Sequence, residues 1–253
     1  MNDLQYIFRA ISAEVLKLKR TLALRMAFVA PLVVAVLIFF VYHQRKGITL
    51  AGGELWVRFN QEVIALWTLL MLPMFITLET ALLGGLENSE KNWKHLFALP
   101  IPRTTIYAAK LTAALALIGL STVVLFLCMT SAGLVLGLLK PDYQLAFSNI
   151  PWSQIFRPYY LTYLCAWLMI AIQIWVSVRW QSFTVALATG ISATVMGYVL
   201  INSEKWGRIY PYTLPMNVLI NNGNITRALL ISLIGCVIAS AVGAIEFTRR
   251  DVA

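Results

Sequence analysis

The 253-residue chain is 60% hydrophobic and only 12% charged, where soluble domains carry about 25% charged residues. That balance excludes one or two ordinary soluble domains and points to a polytopic membrane protein with little soluble mass. The formal net charge of +9 does not indicate nucleic acid: Lys and Arg are scattered along short segments between apolar runs, and no basic run is interleaved with aromatics for base stacking.

Taken in order, residues 3–20 place Leu4, Ile7, Phe8, Ile11, Val15 and Leu18 at helical spacing, with Arg9, Lys17 and Arg20 on the other side. This predicts an amphipathic helix lying in the interface before the first span, within a leading segment 1–21. Its long charged section carries Asp3 and Glu14, and no A-x-A site follows the first apolar run, so it does not read as a cleavable signal. Spans one and two, within 22–83, are expected at about Leu22–Tyr42, with Pro31 inside, and Val63–Leu83, kinked near Pro73, with a loop from His43 to Asn60 between them. After a polar stretch, 84–105, a long third span covers Ile106–Leu139, more than a bilayer requires, so it must tilt or project.

An aromatic connector, 140–157, leads to span four at Pro158–Val178. The turn Arg179-Trp180-Gln181 is so short that span five, Ser182–Ile201, must run antiparallel beside span four. The connector 202–226 holds Trp206, Tyr210, Tyr212 and two prolines; too polar to span and too aromatic for free water, it is expected to fold back onto the outer interface. Span six is Ala228–Ile245. The fold class expected is therefore an all-α polytopic membrane protein, a single transmembrane domain over 1–253, with six transmembrane helices and an N-terminal amphipathic helix. With the N-terminus inside, inner segments hold twelve Lys and Arg against eight outside, and the cluster before span one usually dominates, which puts both termini in the cytoplasm.

The chemistry of the spans is sparse. Glu79 is the ionisable exception between the span ends, and it is expected to snorkel or pair with a nearby Lys. Ion-driven carriers usually hold carboxylates or histidines at membrane depth, so this pattern weighs against them. The two histidines, His43 and His95, fall on opposite sides, and Cys128, Cys165 and Cys236 sit in apolar runs without metal-ligand spacing. No metal site, catalytic constellation or G-x-x-x-x-G-K-[ST] phosphate loop is present in the sequence, so no enzyme activity or bound cofactor is expected of this chain. Gly133 and Gly137, the stripe Gly235, Ala239, Gly243, and the set Ala186, Gly190, Thr194 are helix-packing signals. Thr68, Met71, Met74, Phe75 and Thr77 in span two, with Thr189, Ser192 and Met196 in span five, mix adaptable apolar and hydroxyl groups. That mixture suits either the lining of a path for an amphipathic passenger or ordinary core packing.

The stretch from Glu79 to Lys110 carries the most information. Glu87, Glu90, Lys91 and Lys94 lie within eight residues, each costing roughly 2.5–3.5 kcal/mol at a bilayer centre, so this piece belongs in water. Gly84 and Gly85 are expected to loosen the end of span two, Asn88 or Ser89 to cap a short helix reaching Phe97, Pro100 and Pro102 to form a rigid elbow, and Thr104 or Thr105 to cap the next span. Trp93, Leu96 and Phe97 put an apolar face on this charged loop, as a docking surface would; the plainer reading is a solvated connector. The order Glu, Trp-Lys-x-Leu, Leu-Pro-Ile-Pro-Arg, then a Lys opening the next span, together with six spans and a Phe-Thr-Arg-Arg-Asp tail, resembles the permeases of ABC-2 type exporters, most closely the branch of lantibiotic-immunity and bacitracin-type permeases.

That resemblance implies a non-catalytic permease of a bacterial cytoplasmic membrane, exporting an amphipathic or hydrophobic substrate such as an antimicrobial peptide or a lipid-linked compound. It implies two separate ATPase subunits that hold ATP and Mg2+, and a second permease chain, identical or homologous. Glu87, Glu90, Lys91, Trp93, Lys94, Leu96, Phe97, Pro100, Pro102 and Arg103 would then form a cytoplasmic coupling element between spans two and three. The outer connector is shorter and less helical than in the larger exporters of that superfamily. The competing readings are a non-transporting membrane scaffold or sensor subunit, and an integral membrane enzyme.

Overall fold

The computed structural model describes residues 3–19, 21–45, 50–89, 102–180, 182–220 and 225–249, the side chains of 3–8, 86–89 and 220 excepted. The described residues are mostly helical and contain no strand. Ten α-helices follow in order: α1 Asp3–Leu18, α2 Leu22–Gln44, α3 Gly52–Leu66, α4 Leu72–Ser89, α5 Arg103–Leu139, α6 Trp152–Cys165, α7 Trp167–Arg179, α8 Phe183–Leu200, α9 Leu214–Ile220 and α10 Ile225–Thr248. A π turn, Trp67–Met71, joins α3 to α4, and a single residue, Ala166, separates α6 from α7. Each joined pair crosses as one unit, so six segments are long and apolar enough to span a membrane.

The bundle has two ends. At the end where α4 leads towards α5, here the proximal end, lie α1, the start of α2, the end of α7, the start of α8 and the end of α10. Lys110 on α5 donates to the Leu83 carbonyl of α4 at 3.2 Å, and Arg103 donates to the Thr248 carbonyl of α10 at 3.2 Å. At the distal end, Lys140 and the Tyr143 hydroxyl donate to the Arg45 carbonyl, each at 3.0 Å. A cation is thereby placed on the free carbonyls closing α2, where the helix dipole favours it. Spans two and four are interior, with 61% and 67% of their windows buried; spans one, five and six, at 28%, 22% and 22%, are peripheral. The outward faces of the peripheral helices are aliphatic and aromatic, for example Leu32, Val36 and Phe40 on α2 and Ile234, Val237 and Ile238 on α10. Such a surface is stable against lipid and costly against water.

Several boundaries differ from the sequence reading, each for a physical reason. The stretch expected as a loop to Asn60 is helical from Gly52, which opens α3 at a φ of 58°. Leu55, Trp56, Phe59, Asn60 and Val63 form a buried stripe while Glu54, Arg58 and Gln61 face outward, an amphipathic pattern that average polarity conceals. A Cβ at Gly133 would overlap the Trp56 ring, so Gly133 admits an indole whose Nε1 donates to the Ala146 carbonyl at 3.3 Å, while Gly137 lets the Leu145 backbone approach α5. Span four likewise begins at Trp152, six residues before Pro158, because Ile155 and Tyr159 bury one face while Phe126 of α5 packs against Phe156 and Tyr159. Helix α5, at 37 residues, is about 55 Å long at 1.5 Å per residue. Its proximal part extends along α1, whose Glu14 and Leu18 are buried while Val15 is about half exposed.

The helix α4 runs unbroken through Gly84, Gly85, Asn88 and Ser89, and the short helix expected from there to Phe97 lies outside the described residues. Gly84 does not loosen this helix; it lets α4 approach α7, where the Ser177 carbonyl lies 2.9 Å from where a Cβ would sit. At the start of α5 the N-cap position is Pro102, without a side-chain cap, rather than Thr104 or Thr105.

Candidate coupling end and substrate path

Span two carries the main irregularity. Pro73 has no N–H, so the carbonyl of Leu69, four residues before it, cannot receive the usual helical bond. The helix responds with the π turn at Trp67–Met71, in which the Leu72 N–H reaches back to the Trp67 carbonyl. The hydroxyl of Tyr198 on α8 donates to the Leu69 carbonyl and satisfies it from outside the helix. Span four is interrupted in a comparable way at Ala166. There the Ser232 hydroxyl of α10 lies 2.9 Å from the Leu164 carbonyl and 3.0 Å from that of Cys165, and accepts from the Leu168 N–H at 3.3 Å. In the absence of water, broken spanning helices persist only with such substitutes.

Between the two irregular spans lies a polar knot. Gln173 on α7 donates to the Ala186 carbonyl of α8 at 3.0 Å and accepts from the Tyr212 hydroxyl at 3.2 Å. A Cβ at Gly190 would overlap both Gln173 and Thr77, so α4, α7 and α8 meet at this point only because residue 190 has no side chain. Tyr212 belongs to the connector after span five, which turns back into the bundle: Tyr212, Thr213, Leu214, Met216 and Val218 are buried, and the Tyr210 hydroxyl donates to the Ala193 carbonyl at 2.9 Å. The part from Tyr212 to Val218 therefore packs inside the helix bundle, while Glu204, Lys205, Trp206, Arg208 and Ile209 stay exposed. Burial pushes the Tyr210 and Tyr212 phenols above their ordinary pKa, which keeps both as donors.

The candidate path residues divide between two environments. Thr68, Phe75 and Thr77 are buried, with Thr77 bonded to the Pro73 carbonyl at 2.8 Å and the Thr68 hydroxyl unpartnered among the described residues; Met71 is half-buried. Met74 reaches the surface, and Thr189, Ser192 and Met196 lie on the outward face of α8. Thus α4 and α8 pack together, but their candidate residues do not line one continuous channel within a single chain.

Of the candidate coupling residues, Glu87 falls in the last turn of α4, Pro102 is exposed at the entry to α5, and Arg103 is the first residue of α5, tied to α10 through Thr248. Glu90, Lys91, Trp93, Lys94, Leu96, Phe97 and Pro100 lie outside the described residues. Glu79 does not snorkel, and it makes no ion pair among the described residues. It is fully buried, and neither carboxylate oxygen has a hydrogen-bond partner among the described residues. Sequence reasoning missed Gln173 and Ser232 as helix ties; a lone amide inside the run Trp167–Val178 was the available signal for the first, whereas a serine in an apolar helix is too common to mark the second.

Six candidate crossings among the described residues, with two interrupted helices tied by neighbouring hydroxyls, define a multi-pass helical membrane domain. The comparison with protein families agrees: the model described as ABC-2 family transporter protein matches residues 10–197. The chain belongs to this family and is a membrane component of an ABC-2 transporter. No curated protein matches it.

Proposed function

We propose that the chain is the permease of an exporter for an amphipathic or hydrophobic substrate, driven by two separate ATPase subunits that dock on the segment Glu87–Arg103 and paired with a second permease chain. The observation that carries this reading is the family match, which runs from the middle of α1 to the last turn of span five and includes that segment. The division of the candidate path residues supports the pairing: Thr189, Ser192 and Met196 on the outward face of α8 would line a passage only against a second chain. In this reading both termini are cytoplasmic, the membrane is a bacterial cytoplasmic membrane, and ATP and Mg2+ reside in the partner. An antimicrobial peptide or a lipid-linked compound fits the apolar and hydroxyl mixture.

The test is affinity purification in mild detergent followed by reconstitution. A P-loop ATPase should co-isolate, and substrate-dependent hydrolysis should appear only with that partner. Trp93→Ala should weaken the partner's binding, whereas Lys91→Ala and Lys94→Ala should act weakly. An aromatic anchor carries about 2 kcal/mol or more, roughly 30-fold in affinity, against about 0–1 kcal/mol for exposed ion pairs. If the chain alone hydrolyses ATP, or if Trp93→Ala leaves binding, hydrolysis and export unchanged, the reading fails.

A further inference from the structure

At the proximal end, a groove of about 210 Å³ lies between the C-terminal turns of α7 and α10. Its deep part is lined by Val178, Gly243 and Phe247, and its rim by Trp175, Arg179, Glu246 and Arg249. From Gly243 to Arg249 the lining covers six helical steps, about 9 Å, comparable with the 5–10 Å over which a membrane passes from headgroup to acyl chain. The groove therefore sets an apolar floor against a charged rim within a length comparable with the headgroup-to-acyl boundary of a phospholipid.

The charges at the rim do not cancel. Glu246 is the one acid of the lining, and both its oxygens are engaged: Oε2 accepts from the Trp175 indole at 2.7 Å, and Oε1 pairs with Arg179. Arg179 is itself held at 5.7 Å over the Trp180 ring and remains about half exposed. Arg249, one residue past α10, is exposed and makes no ion pair among the described residues. Two guanidiniums against one committed carboxylate leave one positive charge at the mouth of an apolar cleft. The carbonyl of Thr248, which would repel an anion there, already accepts from Arg103.

We propose that this groove is a binding site for one anionic phospholipid, its phosphate on Arg249 with Arg179 behind it and an acyl chain along Val178, Gly243 and Phe247. Charge complementarity selects an anionic headgroup over a zwitterionic one, and the apolar depth selects a lipid over a soluble phosphate. None of the seven lining residues is among the coupling or path candidates.

The experiment uses the full chain, purified in detergent, mixed with equal amounts of phosphatidylglycerol and phosphatidylcholine, and read by native mass spectrometry. Wild type should retain phosphatidylglycerol preferentially. Arg249→Gln should reduce that preference roughly fivefold, the effect of one interfacial cation. Arg249→Lys should restore most of it, and Arg208→Gln, which removes an exposed arginine at the distal end, should leave it unchanged. Millimolar glycerol phosphate should not displace the lipid. The proposal is overturned if wild type shows no preference, if Arg249→Gln retains it, if Arg208→Gln reduces it equally, or if glycerol phosphate competes. Because Arg249 is exposed, monodisperse gel filtration of each variant should accompany the measurement and separates loss of binding from loss of fold.

Discussion

The contact between Tyr198 and the Leu69 carbonyl makes a quantitative demand. Pro73 withholds the N–H that would serve this carbonyl in an α-helix, and Tyr198→Phe removes the hydroxyl that takes its place. Interhelical hydrogen bonds within membranes contribute about 0.6 kcal/mol on average and about 1.7 at most, and a buried carbonyl left unsatisfied costs about 1–3. A loss of about 1–2 kcal/mol is therefore expected. Pro73→Ala returns an N–H and removes the ring that clashes with the preceding turn, so the helix can bond Leu69 internally. In that background Tyr198→Phe should cost no more than about 0.5 kcal/mol, a coupling near 1 kcal/mol between residues on different spans. Unfolding by sodium dodecyl sulfate in mixed micelles, followed by tryptophan fluorescence, measures all four corners of the cycle, with Trp67 in the π turn as a local reporter. Equal costs in the two backgrounds would refute the argument that the hydroxyl replaces the proline's missing donor.

Further outcomes follow from the same geometry. In a background lacking Cys128, Cys165 and Cys236, Ser89→Cys and a cysteine at His95 should label only from the cytoplasmic side and Ser203→Cys only from outside; labelling of Ser89→Cys in intact cells would overturn the proposed orientation. Gly133→Ala should destabilise by about 1–3 kcal/mol through overlap with the Trp56 ring, and Trp56→Phe should recover part of that loss, whereas additive costs would contradict the contact. Gln173→Leu should release both Ala186 and Tyr212 and loosen the connector after span five, which protease sensitivity near Trp206 reports; unchanged sensitivity would mean the connector is held by other contacts.

The spans were legible because a bilayer imposes a coarse demand of about 20 apolar residues. The starts and ends of α2, α8 and α10 fall within a few residues of those expected. The helices missed were those whose polarity is averaged over two faces. Glu54, Arg58 and Gln61 mask the stripe Leu55, Trp56, Phe59 and Val63, though that spacing of four and three was present in the sequence. The inward course of the connector after span five was not legible, because Tyr210 and Tyr212 satisfy an interfacial reading equally well; only the positions of Ala193 and Gln173, far away in sequence, decide between the two. The candidate path residues illustrate the same limit: composition selected the helices, but which side of α8 faces the bundle is set by Ala186, Gly190, Thr194 and Gly197, whose small size lets that side come close.

The irregular points of spans two and four share one logic. A proline in span two and a break at Ala166 in span four each expose backbone carbonyls, and in each case the remedy is a single hydroxyl from a peripheral span, Tyr198 on α8 or Ser232 on α10. The interior helices are thus the broken ones, and the peripheral helices, continuous themselves, supply the missing donors. This arrangement ties each peripheral span to an interior one at a fixed height along its axis, since a shift of one residue, about 1.5 Å, would carry the hydroxyl away from its carbonyl. Apolar packing alone would allow such sliding at small cost, because lipid-facing aliphatic surfaces resemble one another along a helix. The hydroxyls therefore add to the register that the close approaches at Gly133 and Gly190 already impose, at the two points where the interior helices are interrupted.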